Sequence, residues 1–338
     1  MTNEPSAPTR SRSLGAVVYP PEGRPEALLA AFAAGLTARG FRLDVDLVVL
    51  ESGTDDRDLR AALARGLPLL TAVPAAEIGA WIAATGGDGV LLMPTEPALW
   101  RWWGAGRLYQ DLARGVPDHP AGRVVIGVNF TLVEGPDGIG LAQTPERVGA
   151  GCTHVPGLLG GTLRQLAARV DSWNPFDLAV GIAACNAHYN RFDLAAEAVN
   201  GLDVLAGERR VVVIGAFPGI AERLPGAQVI ERRPAAGEFP EEAAEWLLPE
   251  ADAVVITSSA LANRSLPRLL TLAERARIVL VGPGAPLTPR LFDYGIEALA
   301  GVVVEDGDGL VRAVAAGAGA RAIKRHCRSA TLRRPGGG

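Results

Sequence analysis

The sequence predicts an α/β protein built around parallel sheets, and three observations lead to this prediction. From Arg210 onward, short Val/Ile/Leu runs alternate with helical segments, a pattern typical of strands that are buried on both faces of a parallel sheet. Residues 14–115 show a similar alternation. Between these two parts, alternating apolar positions flank Gly135-Pro136-Asp137-Gly138, which favours an antiparallel β-hairpin.

The last part, residues 208–320, is expected to form a Rossmann-like domain with a mostly parallel sheet. Helices are predicted at Glu241–Leu248 and Leu266–Ala276. The segment 321–338 is rich in basic residues and ends in three glycines, so we expect it to be a disordered tail. The predicted strands are Val211–Ile214, Gln228–Glu231, Ala253–Thr257, Ile278–Val281 and Val302–Glu305.

The preceding part, residues 123–207, is predicted to form a small α+β subdomain. The hairpin uses Val124–Glu134 and Ile139–Ala142. Two helices follow at Thr162–Val170 and Pro175–Tyr189, and Pro175 suits the first turn of the second helix.

Residues 14–115 are predicted to form a separate small α/β domain, and the polar residues 1–13 before it are expected to be disordered. The predicted helices are Glu26–Gly40, Asp56–Gly66 and Ala75–Thr85. The predicted strands are Leu14–Tyr19, Phe41–Leu50, Leu67–Val73 and Val90–Met93.

The composition argues against several classes of function. The 338 residues carry a net charge of −4, so bulk electrostatics does not favour nucleic acid or a membrane surface. With no signal peptide, no apolar run near the ~20 residues of a bilayer span and only three cysteines, we expect a soluble cytoplasmic protein with reduced thiols. Lys324 is the only lysine, which argues against a Walker A nucleotide site and against Schiff-base chemistry with pyridoxal phosphate.

Several motifs in residues 123–320 follow one another in an order that is specific to one family. They are Ile126–Glu134 with Gly140-Leu141-Ala142, Ser172-Trp173-Asn174-Pro175, Val180–Ala187, Val213–Pro218, Thr257–Asn263, and Gly282–Pro289 with Phe292 and Gly295. In these motifs the chain resembles the family described as "putative heavy-metal chelation". The resemblance implies an enolase-N-terminal-like α+β subdomain that leads into a Rossmann-like domain, and a role in metal handling.

The first hundred residues carry a second set of motifs, at Gly15–Tyr19, Gly66–Val73 and Ala98–Trp103. Here the chain resembles a shortened form of a nucleotide-binding-like family whose members occur near molybdenum-uptake genes. Because this part contains no lysine, we do not expect it to hydrolyse nucleotides.

Polar and glycine-containing loops follow the predicted strands at the carboxyl edge of the C-terminal sheet, where open parallel sheets bind their ligands. The glycines would let a ligand approach the backbone, and Glu231 stands where an acid would hold a ribose hydroxyl. The hydroxyl and amide groups would either cap the next helix or contact a ligand. These candidate binding residues are Gly215, Phe217, Pro218, Glu231, Thr257, Ser258, Asn263, Gly282 and Pro283.

The α+β subdomain is expected to close this cleft from the other side through Glu134, Asn174 and Asn186. An asparagine inside an Ala-rich helix is unfavourable unless it is hydrogen-bonded. Asn186 therefore bonds either a neighbouring loop or the ligand.

A metal site is the second candidate. Cys185 and His188 share a helix face, and Cys152 and His154 lie two residues apart in a glycine-rich loop, so the four could form a Cys₂His₂ site if the loop covers the helix. The alternative is a buried structural Cys185, and Glu134 with neighbouring oxygen groups would form a harder site.

Three functional hypotheses remain open, and whether the protein is an enzyme stays undecided. The first is a metal-homeostasis protein that binds a metal ion or a small metal-chelating ligand in the cleft. The second is an enzyme with a nucleotide-type ligand there, with Glu231 on the ribose and Arg232 or Arg233 on a phosphate. The third is a docking module, in which the region of Trp100, Trp102 and Trp103 contacts a metal-cofactor partner protein or a second copy of the chain.

Overall fold

The computed structural model describes residues 15–17, 24–39, 41–43, 46–50, 57–58, 61, 69–73, 76, 90–92, 96–146, 158–198, 201–205, 207–217 and 219–335. The chain divides into two compact units, residues 1–100 and 101–338. Among the described residues, no helix combines the length and the apolar character needed to cross a bilayer.

The N-terminal unit contains a parallel sheet of four strands, in the spatial order Val48–Leu50, Leu69–Thr71, Gly15–Val17 and Val90–Leu92. Helix α1 (Pro25–Ala38) starts with a proline, which is compatible with a first helical turn, and buries Leu29, Phe32 and Leu36 on one face. The helices predicted at 56–66 and 75–85 lie mostly outside the described residues. The strands are β1 (Gly15–Val17), β2 (Val48–Leu50), β3 (Leu69–Thr71) and β4 (Val90–Leu92).

Helix α2 (Glu96–Arg114) contains the boundary between the two units. Trp100 is only 2% exposed, and its ring meets Phe32 edge-on with the ring centres 4.7 Å apart. Trp103 is also 2% exposed. Both indoles are therefore buried, and the side chain of Trp102 lies outside the described part of the chain.

The α+β subdomain begins with an antiparallel sheet of three strands, β5 (Val124–Ile126), β6 (Phe130–Glu134) and β7 (Ile139–Gln143). Two helices follow, α3 (Leu163–Ala167) and α4 (Pro175–Tyr189). Helix α4 packs directly on β7: a Cβ added to Gly140 would lie 2.0 Å from the carbonyl oxygen of Ala183, so only glycine permits this approach.

The C-terminal part is a six-stranded sheet. Its strands are β8 (Val211–Ile214), β9 (Gln228–Ile230), β10 (Ala253–Thr257), β11 (Arg277–Val281), β12 (Ile296–Val304) and β13 (Cys327–Arg333). They follow the order β13-β12-β11-β10-β8-β9, and every neighbouring pair except β12–β13 is parallel. The predicted α/β fold with a Rossmann-like C-terminal sheet is thereby confirmed. Its helices are α5 (Ile220–Arg223), α6 (Ala244–Leu247), α7 (Ser259–Ala262), α8 (Leu266–Leu272), α9 (Gly307–Ala315) and α10 (Ala320–Ile323).

The expectation of a disordered tail at 321–338 is wrong for the described residues up to 335. Strand β13 pairs antiparallel with β12 along its whole length, and Ala330 and Thr331 are buried. Two of its basic side chains have partners in the rest of the chain: Arg333 pairs with Glu197 at 3.4 Å, and Arg328 donates to the carbonyl oxygen of Leu194 at 2.8 Å. Sheet pairing of the backbone, which net charge does not reveal, orders this segment.

Candidate functional site

A cavity of about 1020 Å³ lies at the carboxyl edge of the C-terminal sheet, where the loops after β8, β9 and β10 face β7 and the start of α4. It is lined by Gly215, Glu231, Thr257 and Asn263 of the candidate binding residues, and by Arg232 and Arg233, which the nucleotide hypothesis placed on a phosphate. Its other polar or aromatic lining residues are Gln143, Thr144, Glu146, Trp173, Glu241, Ser259, Arg264 and Ser265.

The loop after β8 is hydrogen-bonded to the carboxylate of Glu231, which directly follows β9. Gly215 has a φ of +89°, and a Cβ there would lie 2.7 Å from the Thr257 side chain, so the close approach of the two loops requires glycine. The Glu231 carboxylate accepts hydrogen bonds from the backbone N–H groups of Ala216 at 2.7 Å and Arg232 at 3.1 Å. Phe217 packs against the apolar core beside β8 instead of lining the cavity, and Pro218 lies outside the described residues.

Of the three hydroxyl groups at the end of β10, those of Thr257 and Ser259 are at the cavity, and that of Ser258 is in the interior. Thr257 and Ser259 line the cavity, and their hydroxyl oxygens lie 2.5 Å apart. Ser258 is 9% exposed and accepts from the N–H of Gly284 at 3.2 Å, so it joins the loop after β11 to the loop after β10. The Asn263 side-chain oxygen accepts from the N–H and the hydroxyl of Ser265 at 3.0 and 2.6 Å.

The glycine-proline pair after β11 is not part of the cavity lining. Gly282 has a φ of +129°, and a Cβ on it would lie 2.5 Å from the Ser258 hydroxyl. The glycine therefore makes room for Ser258, and neither Gly282 nor Pro283 lines the cavity.

Asn186 bonds a neighbouring loop, which is one of the two roles that the sequence left open. Its Nδ2 donates to the carbonyl oxygens of Leu141 at 2.7 Å and Gly284 at 2.9 Å, and the residue is fully buried. It does not line the cavity. Through these two hydrogen bonds, its side chain connects α4 to β7 and to the loop after β11.

Glu134 and Asn174 also have structural partners. Glu134 forms an ion pair with Arg123 at 2.7 Å, and this guanidinium holds the pKa of the carboxyl below its usual range. The Asn174 side chain accepts from the N–H groups of Phe176 and Asp177 at 2.9 and 3.3 Å, which makes it the N-cap of α4. Neither residue lines the cavity, although Asn174 lies between Trp173 and Pro175, which do.

The described residues do not bring a metal site together. Cys185 is 1% exposed, and burial raises the pKa of its thiol to about 12, so the thiolate that a metal needs is disfavoured. Burial also lowers the pKa of His188. Cys152 and His154 lie outside the described residues. Within the described part of the chain, no group of three or more His, Cys, Asp or Glu side chains could hold a metal ion.

Sequence reasoning missed Trp173 and Arg264 as cavity residues. Trp173 is 81% exposed, and its ring centre lies 4.9 Å from the guanidinium carbon of Arg264. A tryptophan directly before the N-cap of a helix is a sequence signal that could have pointed to this position. Arg264 carries no comparable signal, because its contacts depend on the carbonyl oxygens of Val170 and Ser172, more than ninety residues away in the sequence.

Two family models match this part of the chain, DUF364 over residues 200–333 and DUF4213 over residues 109–189. Both carry the description "Putative heavy-metal chelation". An uncharacterised protein of Methanocaldococcus jannaschii is 28% identical over 204 residues, which cover 55% of this chain and 73% of that protein. A molybdenum import ATP-binding protein of Bradyrhizobium diazoefficiens is 38% identical over 81 residues, but these cover only 22% of this chain and 9% of that protein.

Two solved structures of DUF364 proteins with unknown function resemble this one. The structure from Desulfitobacterium hafniense is 31% identical with a TM-score of 0.62, and the match covers 68% of this chain and 98% of that one. The structure from Pyrococcus horikoshii is 21% identical with a TM-score of 0.60, and the match covers 68% of this chain and 99% of that one. The similarity to the first structure and the matching family models together show that the chain belongs to the DUF364 family.

Proposed function

We propose that this protein acts in metal homeostasis by binding a small metal-chelating molecule, alone or with its metal, in the cavity at the carboxyl edge of the C-terminal sheet. The observation that carries the proposal is the cavity itself, whose volume of about 1020 Å³ lies at the upper limit of the range for small-molecule sites. The family description supports a connection to metals.

The side chains of the cavity fit an organic ligand better than a bare metal ion. The carboxylates of Glu146 and Glu241 pair with Arg233 and Arg232 at 2.9 and 3.5 Å, and Glu231 accepts from two backbone N–H groups. These oxygens are engaged by the protein, and the described residues offer no cluster of three ligands. In the proposal, the metal is cargo that arrives with its chelator.

The wall offers several kinds of contact to an organic molecule. Trp173 presents an exposed ring for stacking, and the hydroxyls of Thr257 and Ser259 can each donate and accept hydrogen bonds. Leu178 and Ile214 add apolar surface. A few polar groups within a partly apolar wall are typical of small-ligand sites.

The test uses differential scanning fluorimetry and calorimetry with four probes, each alone and with Ni²⁺ or Zn²⁺. The probes are the anions citrate and pyrophosphate, the neutral chelator bipyridine and the cationic chelator triethylenetetramine. A probe that binds only the native state stabilises it by about 2.7 kcal/mol at a hundredfold excess over its Kd. Loss of this response in Thr257→Val, and its retention in Thr271→Val, would support the cavity as the site.

Thr271 is a suitable control because it is exposed, its hydroxyl donates to the Pro267 carbonyl oxygen within α8, and it does not line the cavity. Absence of any response in the unmodified protein, for every probe with and without metal, would contradict the proposed function. So would an equal loss of response in the two threonine variants.

A nucleotide-type ligand at the same cavity is the second candidate. The observation that favours it is the position of Glu231, whose carboxylate contacts the loop after the first strand of the sheet, where an acid can receive a ribose hydroxyl. ADP, NAD and an adenosyl cofactor form the test panel. Stabilisation by one of them, with loss in Glu231→Gln, would replace the chelator proposal, and no response from any of them would remove this candidate.

A further inference from the structure

We infer that Arg264 is the anion-binding residue of this cavity, and that the ligand presents a carboxylate or a phosphate group to it. The inference rests on the proposed function, since it requires a ligand in the cavity. It adds to the proposed function that the ligand is negatively charged and that Arg264 is the side chain that binds this charge.

Arg264 has a backbone conformation that is unfavourable for its residue type. It lies between α7 and α8 with a φ of +62°, and it is the one non-glycine residue in the described part of the chain with a positive φ. A glycine would adopt this conformation without a steric penalty. Strained positions of this kind persist where the surrounding structure holds them, and they are enriched at ligand sites.

The guanidinium is held in place by neutral groups. Its Nη2 donates to the carbonyl oxygens of Val170 at 2.5 Å and Ser172 at 2.7 Å. The guanidinium carbon lies 5.0 Å from the ring centre of Tyr109 and 4.9 Å from that of Trp173. Burial raises the pKa of Tyr109, so its phenol stays uncharged. These contacts orient the planar group, and none of them brings a negative charge to it from the described part of the chain.

Arg264 differs from the other two arginines of the cavity wall, Arg232 and Arg233, because it has no carboxylate partner among the described residues. Arg232 and Arg233 each pair with a glutamate of the same wall. For Arg264, the described residues provide no carboxylate within 4.0 Å, and no acceptor for Nε or Nη1. A partly buried guanidinium with free donors at a cavity wall is suited to an oxyanion of the ligand.

The experiment compares Arg264→Gly, Arg264→Lys and Arg268→Gln with the unmodified protein by calorimetry against citrate, pyrophosphate, bipyridine and triethylenetetramine. Glycine removes the charge and fits the positive φ. Lysine keeps the charge but loses the planar group. Arg268→Gln is the control, because it removes the same charge outside the cavity lining, at a side chain that is 59% exposed and paired with Glu245. Thermal unfolding without ligand verifies that each variant is folded.

We expect the unmodified protein to bind citrate or pyrophosphate and to prefer them to the neutral and cationic probes. Arg264→Gly should weaken the anion by about 10- to 100-fold, the range for a charged hydrogen-bonding partner. Arg264→Lys should weaken it less because the charge remains, which keeps the test valid if the glycine variant unfolds. Arg268→Gln should change the affinity for the anion by less than about fivefold, because its side chain lies outside the cavity lining. The relative affinities for citrate and pyrophosphate show whether the anionic group that Arg264 binds is a carboxylate or a phosphate.

Two outcomes would overturn the inference and leave the proposed function in place. One is binding of an anion with equal affinity in Arg264→Gly and the unmodified protein. The other is a preference for the neutral or cationic probe. A complete lack of binding by the unmodified protein would instead contradict the proposed function.

Discussion

Asn186 and Asn190 lie one helical turn apart on α4, and their side-chain amides together donate to four backbone carbonyl oxygens. Asn186 bonds Leu141 and Gly284, and Asn190 bonds Ala285 and Val302. Asn190 also accepts from the N–H of Leu287 at 2.8 Å. Two amides that are fully or almost fully buried thus attach the loop after β11 to the helix of the α+β subdomain.

Asn186→Ala should therefore lower the free energy of unfolding by about 2–3 kcal/mol, because two buried carbonyl oxygens lose their donor. Urea denaturation followed by circular dichroism measures this change. The matched control is Asn129→Ala, which removes one exposed hydrogen bond to the Gly317 carbonyl oxygen and should cost about 1 kcal/mol or less. Equal costs for the two variants would contradict the structural role of Asn186.

Asn174→Ala should cost about 1 kcal/mol, because the first N–H groups of α4 lose their side-chain acceptor. Asn174→Asp should retain most of the stability, since aspartate is an equally good N-cap. The same urea measurement compares the two variants. If both were destabilised equally, the role of Asn174 would lie elsewhere, for example in contact with a ligand.

Cys185 should resist alkylation by iodoacetamide in the native protein at about pH 8 and react after denaturation, because it is buried and its thiol pKa is raised to about 12. Peptide mass spectrometry identifies the labelled cysteine. Between about pH 9 and pH 12 the unfolded chain loses this proton while the native chain keeps it, so the thiol lowers stability as pH rises. Rapid native labelling of Cys185 would reopen its role as a metal ligand.

Glu134→Gln should leave probe binding unchanged, because Glu134 does not line the cavity. It should lower stability by less than about 1 kcal/mol at neutral pH, since its ion pair with Arg123 is partly exposed. The pKa of Glu134 is depressed, so the pair stabilises the protein above the usual carboxyl pKa and loses its effect as pH falls through the depressed value. A change in probe affinity would place Glu134 at the ligand after all.

Local signals predicted much of the fold. The predicted bounds of α4 match the structure because Asn174 caps the helix and Pro175 suits its first turn. The buried strands β8 and β10 were also found, since continuous apolar runs identify them. Strand β12 starts at Ile296, six residues earlier than predicted, because its first half contains alanines, which have low strand propensity.

The sequence by itself determined the α/β class, the order of the subdomains and the loops that reach the carboxyl edge of the sheet, because these depend on short-range hydrophobic patterning. The tertiary structure decided which polar side chains line the cavity. In the folded chain, Asn186 is hydrogen-bonded to the loop after β11, Glu134 forms an ion pair with Arg123, and Arg264 lines the cavity. The physical reason is that the partners of these groups are distant in the sequence, so only the packed chain determines which polar groups remain for a ligand.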